Sequence, residues 1–263
     1  MKRAFTLHLR QLHAFLVLLE GVWVKSLLPL AICKETESDR QALLCFKSRL
    51  SGPAGVLASW SNKSFDVCEW HGITCSKPCP RRVIALDLES EGMSGSISPC
   101  VANLTSIARL QLSNNNLSGG IPSVGLLPRL RDLNLSRSNL EGKIPSSLGN
   151  LSSLVDLRLT GNNLVRSIPE SLGYISPLQI LALTANNLSG TVPPSLFNMS
   201  SPTFLSLGNN SLVGRLPHNI SYTLPNIQTL VLSTNKFDGP IPASLPKVYN
   251  LRLFVSFTCI TTH

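Results

Sequence analysis

Charge is scarce in this chain. Asp, Glu, Lys and Arg make up 14% of its 263 residues, and aromatic residues 6%. Hydrophobic residues reach 43%, so a disordered polyelectrolyte is excluded and material for a continuous core is ample. No uninterrupted apolar run approaches about 18 residues, the length a membrane helix needs. Histidine is sparse and scattered, at His8, His13, His71, His218 and His263. His71, Cys75 and Cys79 lack a CxxC spacing and a second histidine, so they make a poor zinc set. Paired carboxylates, a Ser, His and Asp group, a phosphate-cradling glycine loop and a catalytic kinase motif are all missing. The chain is therefore expected to be non-catalytic, without metal or cofactor. Its net charge is +9, but the basic residues are dispersed, which argues against nucleic acid and favours acidic partners in general.

What is present is a repeat. Leu110 to Pro122 reads LQLSNNNLSGGIP, and related copies start at Leu86, Leu133, Leu157, Leu181, Leu205 and Leu230. The successive spacings are 24, 23, 24, 24, 24 and 25 residues, a period that marks a solenoid. Leucines at positions one and three, such as Leu133 and Leu135, alternate with polar residues as a strand with one buried face requires. Position six carries Asn115, Asn162, Asn186, Asn210 and Asn235. A buried amide there can bond backbone groups left unpaired where each coil turns. Glycine at position ten suits a bend at positive φ, and proline at thirteen starts a return segment. Apolar residues such as Leu148, Leu151 and Leu154 follow at a spacing of three, which suits a 3₁₀ return. One coil cannot bury these residues alone, whereas stacked coils bury them together.

The N-terminal stretch differs. Lys2, Arg3 and Arg10 precede apolar runs at Ala14 to Leu19 and Leu27 to Ile32, the pattern of a secretory signal over residues 1–31. Its removal would take away four basic residues and Glu20, leaving +6. Glu37 to Leu50 is expected to form a helix, with Ser38 as N-cap, Gln41 as its capping-box partner and an apolar stripe at Leu43, Leu44, Phe46 and Leu50. Leu57 to Trp60 (LASW) and Cys68 to Cys75 (CEWHGITC) follow.

The pattern LxLxxNxLxGxIP resembles the plant extracellular class of leucine-rich repeat, and the resemblance covers roughly Thr36 to Leu253. It implies an α/β solenoid: a leucine-rich-repeat horseshoe or superhelix with a parallel concave sheet, a second set of short strands, and a helical, disulfide-bonded N-terminal cap. The implied division is a cap over 32–82, seven repeats and a partial eighth over 83–253, and an aberrant tail over 254–263. Helix, LxSW and CxWxGxxC in that order resemble the cap of plant leucine-rich-repeat receptors, where Cys68 and Cys75 would pair. Cys79 and Cys100 flank the first coil and are expected to bond across it, while Cys45 reads as a buried thiol. The pairing of Cys33, Cys45 and Cys259 stays open. Some positions depart from the pattern. Position six is Glu91 in the first coil and Ser138 in the third, Arg166 replaces a glycine, and FVSFTCITTH breaks the repeat. A truncated receptor ectodomain is the expectation, since the family's receptors continue with more repeats, a membrane helix and a kinase.

The resemblance implies that residues beside the strand leucines face outward on the concave side. The candidate ligand-binding residues are Arg109, Gln111, Asp132, Asn134, Arg137, Asp156, Arg158, Gln179, Phe204 and Gln228. They form a mixed-charge strip suited to hydrogen bonding an extended peptide. Nine sequons mark candidate N-glycosylation sites at Asn62, Asn103, Asn116, Asn134, Asn150, Asn187, Asn198, Asn209 and Asn219. The expected function is extracellular recognition of a peptide or protein ligand, with a co-receptor kinase ectodomain as a further partner. The expected location is the secretory pathway and apoplast, or the cell surface as part of a longer receptor. Two alternatives are a secreted inhibitor resembling polygalacturonase-inhibiting proteins and a non-functional receptor fragment.

Overall fold

The computed structural model describes residues 36–61 and 66–255. The expected signal segment, Asn62, Cys33, Cys259 and most of the tail lie outside the described residues.

Each coil contributes two short strands. The first set forms a nine-stranded sheet and the second an eight-stranded sheet. The nine-stranded concave sheet runs β2 (Ile73–Cys75), β3 (Val83–Asp87), β5 (Arg109–Gln111), β7 (Asp132–Asn134), β9 (Asp156–Arg158), β11 (Ile180–Ala182), β13 (Phe204–Ser206), β15 (Thr229–Val231) and β17 (Leu253–Val255). From β3 onward it is parallel and in constant register, with Leu110, Leu133, Leu157, Leu181, Leu205 and Leu230 side by side. The second sheet starts at β1 (Leu50–Ser51) and β4 (Ser94–Ser96) and continues through β6 (Asn116–Gly120), β8 (Asn139–Lys143), β10 (Asn163–Arg166), β12 (Asn187–Thr191), β14 (Ser211–Gly214) and β16 (Lys236–Phe237). Single 3₁₀ turns form most of the returns, among them Pro99–Asn103, Ser146–Asn150, Glu170–Tyr174 and Pro194–Phe197. The sixth coil, one residue longer, instead makes an α-helical turn, α2 (Ile220–Thr223).

The asparagine ladder has the expected role. Asn186 Nδ2 donates to Leu159 O and Leu183 O, both at 3.0 Å, while its Oδ1 accepts from Leu164 N at 3.1 Å. Asn115, Asn162, Asn210 and Asn235 repeat this arrangement. Each amide ties its own coil to the one before. Where Ser138 interrupts the ladder, its Oγ is buried with no partner among the described residues.

The cap departs from expectation in several places. The first helix, α1 (Glu37–Lys47), is flanked by Thr36, and Ser38 lies inside it. Gln41 Nε2 donates to Glu37 Oε1 instead of closing a capping box. The helix stops at Lys47 because Leu50 leaves it for β1, which pairs antiparallel with β4. β2 pairs antiparallel with β3, so each sheet is closed by a reversed cap strand. At Gly95, φ is 101° and an added Cβ would lie 2.2 Å from Arg49 O, so only glycine lets the cap strand approach. Asp39 is fully buried. Its carboxylate accepts from Arg82 Nε and Nη2 and from Val83 N, all at 2.9 Å. That bidentate pair raises the Arg82 pKa against the opposing effect of burial.

Cys68 and Cys75 are bonded, as the resemblance implies. Cys100, however, bonds Cys45, not Cys79, and Cys45 is an exposed disulfide half instead of a buried thiol. α1 packs against the Pro99–Asn103 turn, and this brings the two sulfurs together. Cys79 is itself disulfide-bonded. At the other end, Phe254 takes position one of an eighth strand opposite Leu230, so strand pairing runs past residue 253 into the expected tail. Backbone pairing does not require leucine, and Phe254 packs against the core.

Two substitutions test this account. Asn186→Ala leaves the buried Leu164 N–H without its acceptor, while Leu159 O and Leu183 O each keep a donor in Asn162 and Asn210. The expected cost is about 2 kcal/mol, since an orphaned buried group costs roughly 1–3 kcal/mol. Arg166 holds φ at 72° where other coils have glycine. Arg166→Gly is expected to stabilise by about 1 kcal/mol by removing a left-handed non-glycine residue. Denaturant midpoints measure both.

Candidate ligand-binding face

Strand alternation sets this face. Leucine at position one points into the core, and the residues on either side of it point out. β5, β7 and β9 therefore bring six of the predicted residues into two rows. Arg109, Asp132 and Asp156 stand side by side, as do Gln111, Asn134 and Arg158.

Within this block the charges pair locally. Arg109 Nε donates to Asp132 Oδ2 at 3.4 Å across strands. Arg158 Nε reaches both oxygens of Asp156, at 2.9 and 3.0 Å, within its own strand. These pairs remain open to solvent, with the Arg109 side chain 57% exposed. Asn134 is half-buried. It donates to Ser113 Oγ at 3.2 Å and accepts from Ser136 N at 3.1 Å. Gln111 Oε1 is buried and has no partner among the described residues.

The other predicted residues lie apart. Arg137 is exposed in the turn after β7, with φ at 54°. Gln179 and Gln228 stand just before β11 and β15, and their carbonyls accept from the next coil. Arg131 occupies the same column, and sequence reasoning passed over it although it is placed as Gln179 is. Arg131 joins Thr74, Ile84, Ala85, Ala108, Arg109, Asp132 and Val155 around a shallow cavity of about 440 Å³.

Phe204 belongs to a second block that the sequence reading missed. Ile180, Phe204, Thr229 and Leu253 are aligned in β11 to β17, beside Ala182, Ser206, Val231 and Val255. The face thus changes character between β9 and β11, from charged to largely apolar. Ile180 and Val231 are half-buried and Leu253 is 49% exposed. Their outward positions were legible from the repeat register. Apolar residues in a strand simply read as core.

The sequons spread over other surfaces. Asn103, Asn150 and Asn198 are exposed at the ends of return turns, and Asn116 and Asn187 are exposed in the second sheet. Asn209 is exposed at a positive φ, and Asn219 is half-buried before α2. Asn134 alone of the described set stands on the concave strands.

Residues 36–76 match the leucine rich repeat N-terminal domain. Residues 106–125, 129–151, 153–175 and 177–199 match the leucine rich repeat. The LRR receptor-like serine/threonine-protein kinase EFR of Arabidopsis thaliana is 44% identical over 98 residues, which is 36% of this chain and 9% of that protein. The chain thus spans less than a tenth of that relative's length. A chain in the complex of the Arabidopsis receptor kinase HAESA with the peptide hormone IDA and the co-receptor SERK1 is 29% identical, with a TM-score of 0.55. The match covers 84% of this chain and 46% of that one. A plant ice-binding protein is 29% identical with a TM-score of 0.75, covering 85% of this chain and 72% of its own. The same architecture is thus found in an ice-binding protein and in a peptide-hormone receptor complex.

Exposed ion pairs contribute little to stability, typically 0–1 kcal/mol. The double variant Arg109→Ala, Arg158→Ala is expected to move the melting temperature by no more than the scatter among other surface variants. A large drop would mark these arginines as scaffold.

Proposed function

Because the chain belongs to the plant leucine-rich-repeat receptor family, we propose that its concave strand face recognises an extended peptide, polar or charged toward the cap and apolar toward β17. One observation supports this: the change from charged to apolar side chains between β9 and β11. β3 to β17 make seven strand intervals, about 34 Å at about 4.8 Å each, which matches roughly ten extended residues.

The chemistry of the two blocks is complementary. Arg109, Arg131 and Arg158 offer guanidinium donors to peptide carboxylates and carbonyls, and Asp132 and Asp156 accept from amides or a basic side chain. Ile180, Phe204 and Val231 provide an apolar floor on which the other end of the peptide removes hydrocarbon from water. The mixed charges fix register and direction, and the apolar block supplies affinity. HAESA, whose complex holds a peptide hormone and a co-receptor, is the precedent for a co-receptor ectodomain as second partner. The intended location is the cell exterior.

Panning the secreted chain against a random peptide display library tests this. Enriched peptides are expected to carry charged residues at one end and apolar residues at the other. Arg109→Ala with Arg158→Ala, and Ile180→Ser with Phe204→Ser, are each expected to weaken the best peptide about tenfold or more, a loss of about 1.4 kcal/mol. Tight binding that survives both pairs of changes would sink the proposal.

A further inference from the structure

We propose that the outer side of the solenoid carries a column of N-linked glycans, at Asn103, Asn150 and Asn198, whose first sugars lie over the exposed apolar side chains Leu126, Tyr174 and Tyr222. This is independent of what the concave face binds.

The six residues occupy one place in six consecutive coils and recur every 23 or 24 residues. They alternate strictly. The first, third and fifth coils carry a sequon asparagine, and the second, fourth and sixth carry a large apolar side chain. All six are exposed. Leu126 is 81%, Tyr174 66% and Tyr222 78% exposed, values that single coils leave without a covering neighbour. One residue earlier, Gly149 and Gly173 sit so close to the next coil that an added Cβ would lie 2.4 Å from the Cβ of Ser171 and of Ser195. The return turns of successive coils are therefore in contact, and the residue after each glycine stands on an adjacent rung. At about 5 Å per rung, a sugar attached to one coil reaches the side chain of the next.

The chemistry suits the placement. A pyranose ring presents a face of C–H groups that packs on an aromatic face or a leucine, while its hydroxyls stay in water. Tyr174 Oη donates to Glu170 Oε1 at 2.7 Å, which holds the ring against its own turn. The sequon hydroxyls of Thr105, Ser152 and Ser200 are exposed. Asn134 contrasts with these: its amide is hydrogen bonded on both sides and its sequon partner Ser136 is buried. The disulfides Cys45–Cys100 and Cys68–Cys75 place the chain in an oxidising compartment, where glycan transfer takes place. In that transfer the asparagine amide nitrogen bonds the anomeric carbon of a lipid-linked diphospho-oligosaccharide. The carbon–oxygen bond to the diphosphate breaks, the lipid diphosphate leaves, and the amide gives up one proton.

Apolar patches exposed on a monomer invite association. Covering them with the chain's own glycans leaves this side inert and the concave face free to act.

The chain has three tyrosines, and the third, Tyr249, is 99% exposed and lies off the column. Tyrosine nitration of the secreted glycoprotein therefore carries its own control. Mass spectrometric mapping is expected to find Asn103, Asn150 and Asn198 occupied. Nitration of Tyr174 and Tyr222 is expected to speed up several-fold in the variant Asn103→Gln, Asn150→Gln, Asn198→Gln, with Tyr249 unchanged. Enzymatic removal of glycans from the folded protein gives the same comparison without refolding. Unoccupied sites overturn the proposal, as do occupied sites whose removal leaves Tyr174 and Tyr222 reacting at the same rate.

Discussion

The hydrogen bonds that run from each coil to the next hold the rest of this structure in place. A coil has too few residues to satisfy its own backbone or bury its own leucines. Its strand amides find carbonyls in the neighbouring coils, and in five of the seven coils the turn is closed by an asparagine amide at position six. The energy of any one coil is therefore an interface energy, shared with its neighbours. An array built this way has a difficulty only at its ends. At the N-terminal end the cap resolves it, with one antiparallel strand laid against each sheet and Trp60 and Trp70 buried between helix and strands.

The same constraint leaves two surfaces open to variation. Inward leucines, asparagines and close-packed glycines are tied to their coil. The residues between them bond mainly to one another, as Arg109 does to Asp132, and do not set the register. The concave face can therefore change from Arg109, Asp132 and Arg158 to Ile180, Phe204 and Val231 without disturbing the register beneath. The outer turns can alternate asparagine with tyrosine for the same reason. The variable residues thus lie on two separate surfaces of one scaffold, the concave strands and the outer turns.

The cap shows where local reasoning fails. Asp39 sits in the first turn of a helix, where a carboxylate normally faces water. Here it is buried, because Arg82 from beyond the cap supplies a matched fork of donors. Breaking such a pair leaves an uncompensated charge in the interior, so both partners are held together by the cost of losing either. Cys45 likewise looked apolar in its surroundings, yet its partner is Cys100, 55 residues away. Cys79 was the nearer candidate along the chain. Docking α1 on the first return turn, not nearness in sequence, chose the bond.

Periodicity alone determined the solenoid, its register, the inward leucines and the asparagine ladder, because each is a local pattern repeated until chance is excluded. It also set which positions face outward. The tertiary structure decided what those positions do together. It paired Arg158 with Asp156 along a strand, left Gln111 Oε1 without a partner among the described residues, and aligned apolar residues into a second block of the concave face. It brought Cys45 to Cys100 and Asp39 to Arg82. The physical reason is the same in every case: these are contacts between residues far apart in the chain, and only the stacking of coils and the docking of the cap bring them within a few ångströms.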